Sequence, residues 1–472
     1  MRRKLLIALG ILAALGLATV GFAYWQTRSV LAQLQAGAKA PVVKAVEKEL
    51  HRQPKHRLVQ APAEVDAQTI LLIGSDHRWS DGGDARSDTI MLVRVEPSKH
   101  RIALLSIPRD LYVAIPGHGH DRINEAFHDG GERLLTRVVR ETFGVEIDHF
   151  VEVDFHGFKG LVNALGGVYL PIDQRYYNRN VGTPGTNYAN IDLKPGYQEL
   201  DGSQALAFAR FRHTDNDFVR AARQQLLLRV AGRQALASGW DLFRIRRLAL
   251  AFAHATASDI SSTGELLGLA RAIHDTPSGN LDRYTVPARD YVRYGADYLR
   301  ATPAQLRHVV AAWLGARSQS QAANEALAEP TPSKRPAHPP VRLVRSPGAR
   351  ALAAAHSPIR TCTPRKLPPR FSWPSGAARS YVLDGHPAVA LYATAHSGDS
   401  VLWMFTTWKN VPILADPSRT TTRGGRTYRV YSAAGHVREV AWRIGPTQAW
   451  ITNTLRNALT NRQMLALAES CR

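Results

Sequence analysis

Apolar and polar positions follow three different patterns along this chain. Residues 5–25 form a run with no charged side chain, about 31 Å long as a helix at ~1.5 Å per residue. The hydrocarbon layer of a bilayer is about 30 Å thick, so the run is long enough to span it. Arg2, Arg3 and Lys4 precede it, and Tyr24 and Trp25 close it. The positive-inside rule and the aromatic belt predict a single-pass transmembrane helix in the cell membrane, with residues 1–4 cytoplasmic and the rest extracytoplasmic. A cleaved signal peptide with Ala36-Gly37-Ala38 as its cleavage site is the competing reading. The apolar run is long for it, and the site lies far past the end of the run. Residues 26–60 read as a juxtamembrane stalk. Val42, Val46 and Leu50 allow a short helix there, but a solvated spacer is expected.

From residue 69 the texture becomes that of strands and amphipathic helices. Residues 69–73 (TILLI), 89–95 (TIMLVRV) and 101–107 (RIALLSI) are branched apolar runs of strand length. Glu96-Pro97-Ser98-Lys99 separates the last two as a hairpin turn would. Residues 111–115 and 150–153 predict two more strands. Leu134, Leu135, Val138 and Val139 share one helical face over 133–143, and Gly144 stops that helix. Asp201-Gly202-Ser203-Gln204 resembles a capping box opening a helix over 203–209. A longer helix over 220–238 carries Leu226, Leu227, Val230 and Ala237, interrupted by Gln234. Helices are expected onward to about 314, with a break at 276–279. Residues 61–315 therefore predict an α/β or α+β sandwich.

Residues 316–364 read as a linker, because Pro330, Pro332, Pro336, Pro339 and Pro340 favour extended chain. Strand-like runs at 388–393, 401–406, 427–431 and 437–443, with a closing helix over 454–470, predict a smaller α+β domain over 365–472. Its Trp and Tyr residues read as core, and no catalytic constellation is visible in it. Cys362 and Cys471 fit either a disulfide or two buried thiols. A bridge closing so long a loop would stabilise the domain by about 4 to 5 kcal/mol.

Lys plus Arg total 60 against 39 Asp plus Glu, a net charge of +21. Such a charge favours polyanionic partners, although an Arg- and Ala-rich composition accounts for it equally well. An extracytoplasmic chain excludes nucleic acid and leaves anionic lipid or phosphate-rich wall polymer. The 18 histidines include no HExxH pattern, which argues against zinc catalysis. Ser75 and Ser106 lack a readable Ser–His–Asp arrangement, and Gly82, Gly130 and Gly166 open glycine pairs that read as turns.

Chemistry concentrates in three clusters. Gly74-Ser75-Asp76-His77-Arg78 and Ala85-Arg86-Ser87-Asp88-Thr89 bracket a loop between two strands. Ser106-Ile107-Pro108-Arg109-Asp110 ends a third. Arg210-Phe211-Arg212 with Asp217, Arg220, Arg223 and Gln224 bridges two helices. Strand ends gather ligand groups in open α/β sheets. Guanidinium forks give charge-assisted, bidentate hydrogen bonds to phosphate oxygens. Carboxylates such as Asp76 and Asp88 can hold Mg²⁺ together with phosphate oxygens and water. Taken singly, each of these residues reads as well as a surface salt bridge.

The segments LLIGSDHR, RSDTIMLV, SIPRDLYVAIPGHG, INEAF, VEVDFHGF, ALGGV, LDGSQALAFARFRH and DNDFVRAARQQ, in this order over residues 69–236, resemble the LytR-CpsA-Psr family. The resemblance implies an α/β/α sandwich around a mixed central sheet. It implies a phosphotransferase that moves an anionic glycopolymer, such as teichoic acid, from a polyprenyl pyrophosphate carrier to peptidoglycan through a phosphodiester. By motif position, Asp76 and Asp88 would bind Mg²⁺. Arg86, Arg109, Arg210, Arg212 and Arg220 would contact the pyrophosphate, and Asp217 and Gln224 would complete the polar head. Arg109, Asp217 and Arg86 are the expected catalytic residues, with Asp217 or Asp110 as base. The prenyl chain would enter an apolar tunnel between sheet and helices. Asn163 departs from the Asp expected in many members and lies outside the head group. A lipid pyrophosphate hydrolase and a non-catalytic lipid-binding regulator are the alternatives.

Overall fold

The computed structural model describes residues 31–36, 40–60, 66–76, 87–179, 190–211, 217–237, 242–277, 280–293, 295–315, 343–345, 357–395, 397–415, 417–433 and 436–471. The expected span over 5–25 lies outside them. Among the described residues, no helix is long and apolar enough to cross a membrane.

Six strands form the central sheet: β1 (Gln68–Ser75), β2 (Ser87–Glu96), β3 (Arg101–Ile107), β6 (His149–Val153), β11 (Thr256–Ser258) and β12 (Leu281–Thr285). Their order is β11-β6-β1-β2-β3-β12. β1 runs parallel to β6 and antiparallel to β2, and β12 runs parallel to β3. The sheet is thus mixed, as the resemblance implied. β4 (Tyr112–Ile115) and β5 (Gly119–Arg122) form a hairpin beside it.

Strand alternation divides the core between two faces. Leu71 and Ile73 point to the face covered by α1 (Pro41–Glu47), α2 (Glu125–Phe143) and α8 (Pro303–Trp313). Ile70 and Leu72 point to the other, covered by α5 (Asp217–Ala237) and α7 (Thr263–Asp275). Beside α5, α3 (Phe155–Leu165), α4 (Gly202–Arg210) and the strands β7 (Val168–Ile172), β8 (Tyr176–Asn178), β9 (Ile191–Leu193) and β10 (Gly196–Leu200) close a third cluster. α6 (Leu242–Ala255) packs against α3. Asp201 caps α4 in the expected capping box. Gly144 ends α2 at φ 62°, and a Cβ there would meet Leu58 N at 2.5 Å. Only glycine satisfies both conditions.

Four readings change. Residues 41–50 are not a spacer: Val43 and Val46 of α1 are fully buried, and Leu50 in the turn that follows is buried with them, in the core they share with α2. Residues 239–314 are not all helical. β11, β12 and the hairpin β13 (Arg289–Arg293) and β14 (Ala296–Arg300) interrupt them. β12 (LDRYT) mixes polar and apolar residues and forms only as the last strand beside β3. Within the expected linker, Val344–Arg345 pairs with Lys366–Leu367.

The C-terminal domain is mostly β rather than α+β. Among the described residues it is an eight-stranded antiparallel sheet with one helix, Asn461–Ser470. Ala378–Leu383, Arg419–Arg423 and Thr447–Thr452 join the strands read from sequence. Arg419–Arg423 is a polar, exposed edge strand and Thr447–Thr452 is almost uniformly buried, so neither shows a period of two. The helix starts at Asn461 because the Thr460 side chain forms a capping box with Gln463. Trp403, Trp442 and Trp450 are fully buried, and Cys362 and Cys471 form a disulfide. Tyr197 of β10 inserts into this domain's core beside Ala390, Met404 and Trp450, and Tyr381 Oη donates to its carbonyl at 2.6 Å.

Candidate active site

The three clusters meet at the C-terminal ends of β1 and β3. The register between β1 and β2 shifts between Gly74 and Ser75, leaving Asp88 as an extra residue between Ser87 and Thr89. Strict alternation would send Asp88 and Thr89 to opposite faces. The bulge lets both line one cavity. Gly74 is needed there, since a Cβ would meet Thr89 Cβ at 2.9 Å.

Arg109 follows β3 through Pro108, and its Nη1 donates to Asp88 Oδ1 at 2.5 Å. Its Nε lies 3.7 Å from Asp110 Oδ1, which also faces Arg122 Nε at 4.0 Å. Arg210 ends α4, with Nε 4.0 Å from Asp88 Oδ2 and Cζ 4.0 Å from the Phe155 ring centre. One carboxylate thus faces two guanidiniums contributed by different elements. Arg220 and Gln224, one turn apart on α5, line the same cavity.

Behind this charged mouth the wall is apolar. α5 continues with Leu227, Leu228, Ala231 and Ala235, a stripe that turns from polar to apolar along one helical face. α3 supplies Phe155, Phe158 and Leu165, and Leu72 and Val153 come from the sheet. The cavity encloses about 1430 Å³, open mouth included.

Of the expected residues, the structure brings Asp88, Arg109, Arg210, Arg220 and Gln224 together. Asp76 directly follows β1 but is not in the cavity wall. Asp217 opens α5, and its side chain is not described. Arg86 and Arg212 lie outside the described residues. Arg223 is buried away from the cavity: it donates to the Phe211 carbonyl, among the rings of Tyr176, Phe208 and Phe211. It ties α5 to Phe211, the residue that follows α4.

Sequence reasoning missed two contributors to the site and one titratable group on the other face of the sheet. Phe155 supports Arg210. Gln225 donates to Ser106 Oγ and to the Tyr284 carbonyl, both at 2.8 Å, tying α5 to the sheet. Glu152, one residue before Val153, points to the α2 face, where burial pushes its carboxyl up to about 8 and the charge of Glu132 acts the same way. A lone Glu inside an apolar strand was the available signal.

Fold and cavity define an α/β/α protein whose cavity is charged at its mouth and apolar along its wall. A sequence model of the LytR_cpsA_psr family matches residues 36–312. That is more than half of the chain, and the chain belongs to this family. It is 38% identical over 188 residues to a probable cell wall biosynthesis protein, LcpB, of Corynebacterium glutamicum, covering 36% of this chain and 43% of that one. It is 38% identical over 180 residues to TagU of Oceanobacillus iheyensis, a polyisoprenyl-teichoic acid–peptidoglycan teichoic acid transferase, covering 36% and 52%. The chain spans about half the length of the curated relatives it matches. Among solved structures, B. subtilis TagV is 25% identical, with a TM-score of 0.47 over 54% of this chain and 100% of that one.

Proposed function

We propose that this chain transfers an anionic glycopolymer from a polyprenyl pyrophosphate carrier to peptidoglycan, forming a phosphodiester. One observation carries the reading: Asp88, Arg109, Arg210, Arg220 and Gln224 stand at the mouth of a cavity whose interior is apolar. A pyrophosphate head fits the guanidiniums and a prenyl chain fits the interior. TagU of Oceanobacillus iheyensis is named for a polyisoprenyl carrier, a teichoic acid donor group and a peptidoglycan acceptor, the same classes as in this reading.

In the proposed reaction, a sugar hydroxyl of the acceptor attacks the phosphorus nearer the glycan. The bond from that phosphorus to the bridging oxygen breaks, and polyprenyl phosphate leaves with the electron pair. Arg109, Arg210 and Arg220 stabilise the charge that builds on the head. Phe155 keeps the Arg210 guanidinium over its ring and therefore aimed at the mouth. Asp217 and Asp110 are the proposed recipients of the hydroxyl proton.

Mg²⁺ belongs to this proposal. Asp88 Oδ2 lies beyond hydrogen-bond reach of Arg210, and the buried Oγ of the preceding Ser87 has no hydrogen-bond partner among the described residues. These features, with Asp76 at the adjoining strand end, fit a cation held by Asp76 and Asp88. Such an ion, when bound, would screen the pyrophosphate charge from the two carboxylates. Anchoring by residues 5–25, with the domain outside the bilayer, would bring the cavity to the lipid.

Mass spectrometry of lipid co-purifying with the full chain tests the substrate class. A polyprenyl phosphate or pyrophosphate is expected, and an empty cavity with no affinity for added carrier would refute the reading. Product analysis separates the chemistries: a new phosphodiester on the wall marks transfer, and free glycan phosphate marks hydrolysis.

A further inference from the structure

The opposite end of the central sheet carries a second cluster of ligand-type side chains. His51 follows helix α1, and Glu146 and Asp148 precede β6. One ligand atom from each lies within 4.8 Å of the other two. His51 Nδ1 is 3.6 Å from Asp148 Oδ1. The edge of a tetrahedron with metal–ligand bonds of ~2.0–2.1 Å is about 3.4 Å.

Each carboxylate is already oriented from behind. Asp148 Oδ2 accepts the Thr69 N–H at 2.7 Å, and Glu146 Oε2 accepts from Gln53. One oxygen of each is left for the cluster, the arrangement by which outer contacts aim metal ligands. Among the described residues, neither carboxylate has a Lys or Arg ion-pair partner, although 60 such residues occur in the chain. The neighbouring His149 is engaged by Asp259 at 2.7 Å. Two carboxylates with no Lys or Arg partner among the described residues, gathered around one imidazole, suit a divalent cation. The imidazole favours a transition ion over Mg²⁺.

We propose that His51, Glu146 and Asp148 bind one zinc-class divalent ion, with water in the remaining position. The ion fastens the chain leaving α1 to the start of β6. It therefore ties the segment that follows residues 5–25 to the base of the sheet, remote from the cavity mouth. Its role is structural, and it does not rest on the proposed reaction.

The test is equilibrium dialysis of ⁶⁵Zn²⁺ against the full chain in detergent with excess Mg²⁺, alongside thermal melts with and without zinc. His51→Asn keeps a residue that tolerates the φ of 54° at this position, and Glu146→Gln keeps the shape of the side chain. Both variants should weaken zinc binding by at least about tenfold and lose the zinc-dependent rise in Tm. Asp192→Asn, at an exposed pair with Arg175 outside both sites, should leave both unchanged. No zinc bound by the wild type, or undiminished binding and stabilisation in both variants, would overturn the proposal.

Discussion

Arg109 Nη1 donates to Asp88 Oδ1 at 2.5 Å, across the gap between the ends of two central strands. The contact fixes the direction of the fork at the mouth of the cavity. Arg109→Ala is expected to lower turnover of a polyprenyl-pyrophosphate-linked glycan about a hundredfold or more, since losing one charge-stabilising donor raises a barrier by about 3 to 4 kcal/mol. Arg109→Lys should not restore it, because an ammonium cannot keep Asp88 and a phosphate oxygen in one planar fork. Single-turnover rates measure both, and a near-normal rate in the alanine variant would remove Arg109 from the mechanism.

The graded face of α5 separates head from tail. Ala231 lies about two turns beyond Gln224, within the apolar stretch of the cavity wall. Ala231→Trp should fill space meant for the prenyl chain and leave the head contacts in place. Affinity for long-chain polyprenyl phosphate should fall by at least about tenfold, while a short-chain donor is turned over at the wild-type rate. Equal losses for both donors would mean that the tail does not lie along α5.

How much of this was legible depends on whether the signal was local. The strands flanking Asp88 and Arg109 alternate or run apolar, and the Asp201 cap is a four-residue pattern, so both were readable. The convergence of Asp88 with Arg109 came from the resemblance, since nothing in spacing places residue 88 beside 109. The bulge that turns Asp88 inward depends on pairing with β1, which no single segment encodes. The role of Asn163 also needed the fold: its Oδ1 accepts the Gly202 N–H at 2.8 Å, joining α3 to α4. An Asp carboxylate at this position would accept the same bond. Gln234, which interrupted the stripe on α5, exchanges hydrogen bonds with the Tyr169 backbone at 3.1 Å. A buried polar residue answering a strand cannot be told from a surface one by periodicity.

Cys362 and Cys471 close the C-terminal domain across a sequence separation of 109. Constraint of so long a loop in the unfolded chain corresponds to about 4 to 5 kcal/mol. Replacing both cysteines with serine should shift this domain's unfolding to clearly lower denaturant. The polyprenyl phosphate affinity of the folded protein should stay unchanged, because no cavity residue comes from that domain. Chemical denaturation followed by tryptophan fluorescence reports the first, since Trp403, Trp442 and Trp450 all lie in its sheet. Unchanged midpoints would show that the bridge contributes little.

Glu152 supplies a pH dependence of known sign. Burial raises its folded pKa to about 8 from the usual 4.5, with Glu132 adding to the shift. The unfolded chain therefore releases this proton near pH 4.5 and the folded chain only near 8. Between those values the unfolded state binds fewer protons, so stability falls as pH rises, and the loss levels off above about 8. Glu152→Gln resembles the protonated acid and keeps a donor toward Glu132. The variant should match the wild type in Tm near pH 5, gain on it steadily to about pH 8, and hold a constant advantage beyond. A difference between the two that does not change from pH 5 to 9 would mean that Glu152 is already ionised in the folded protein.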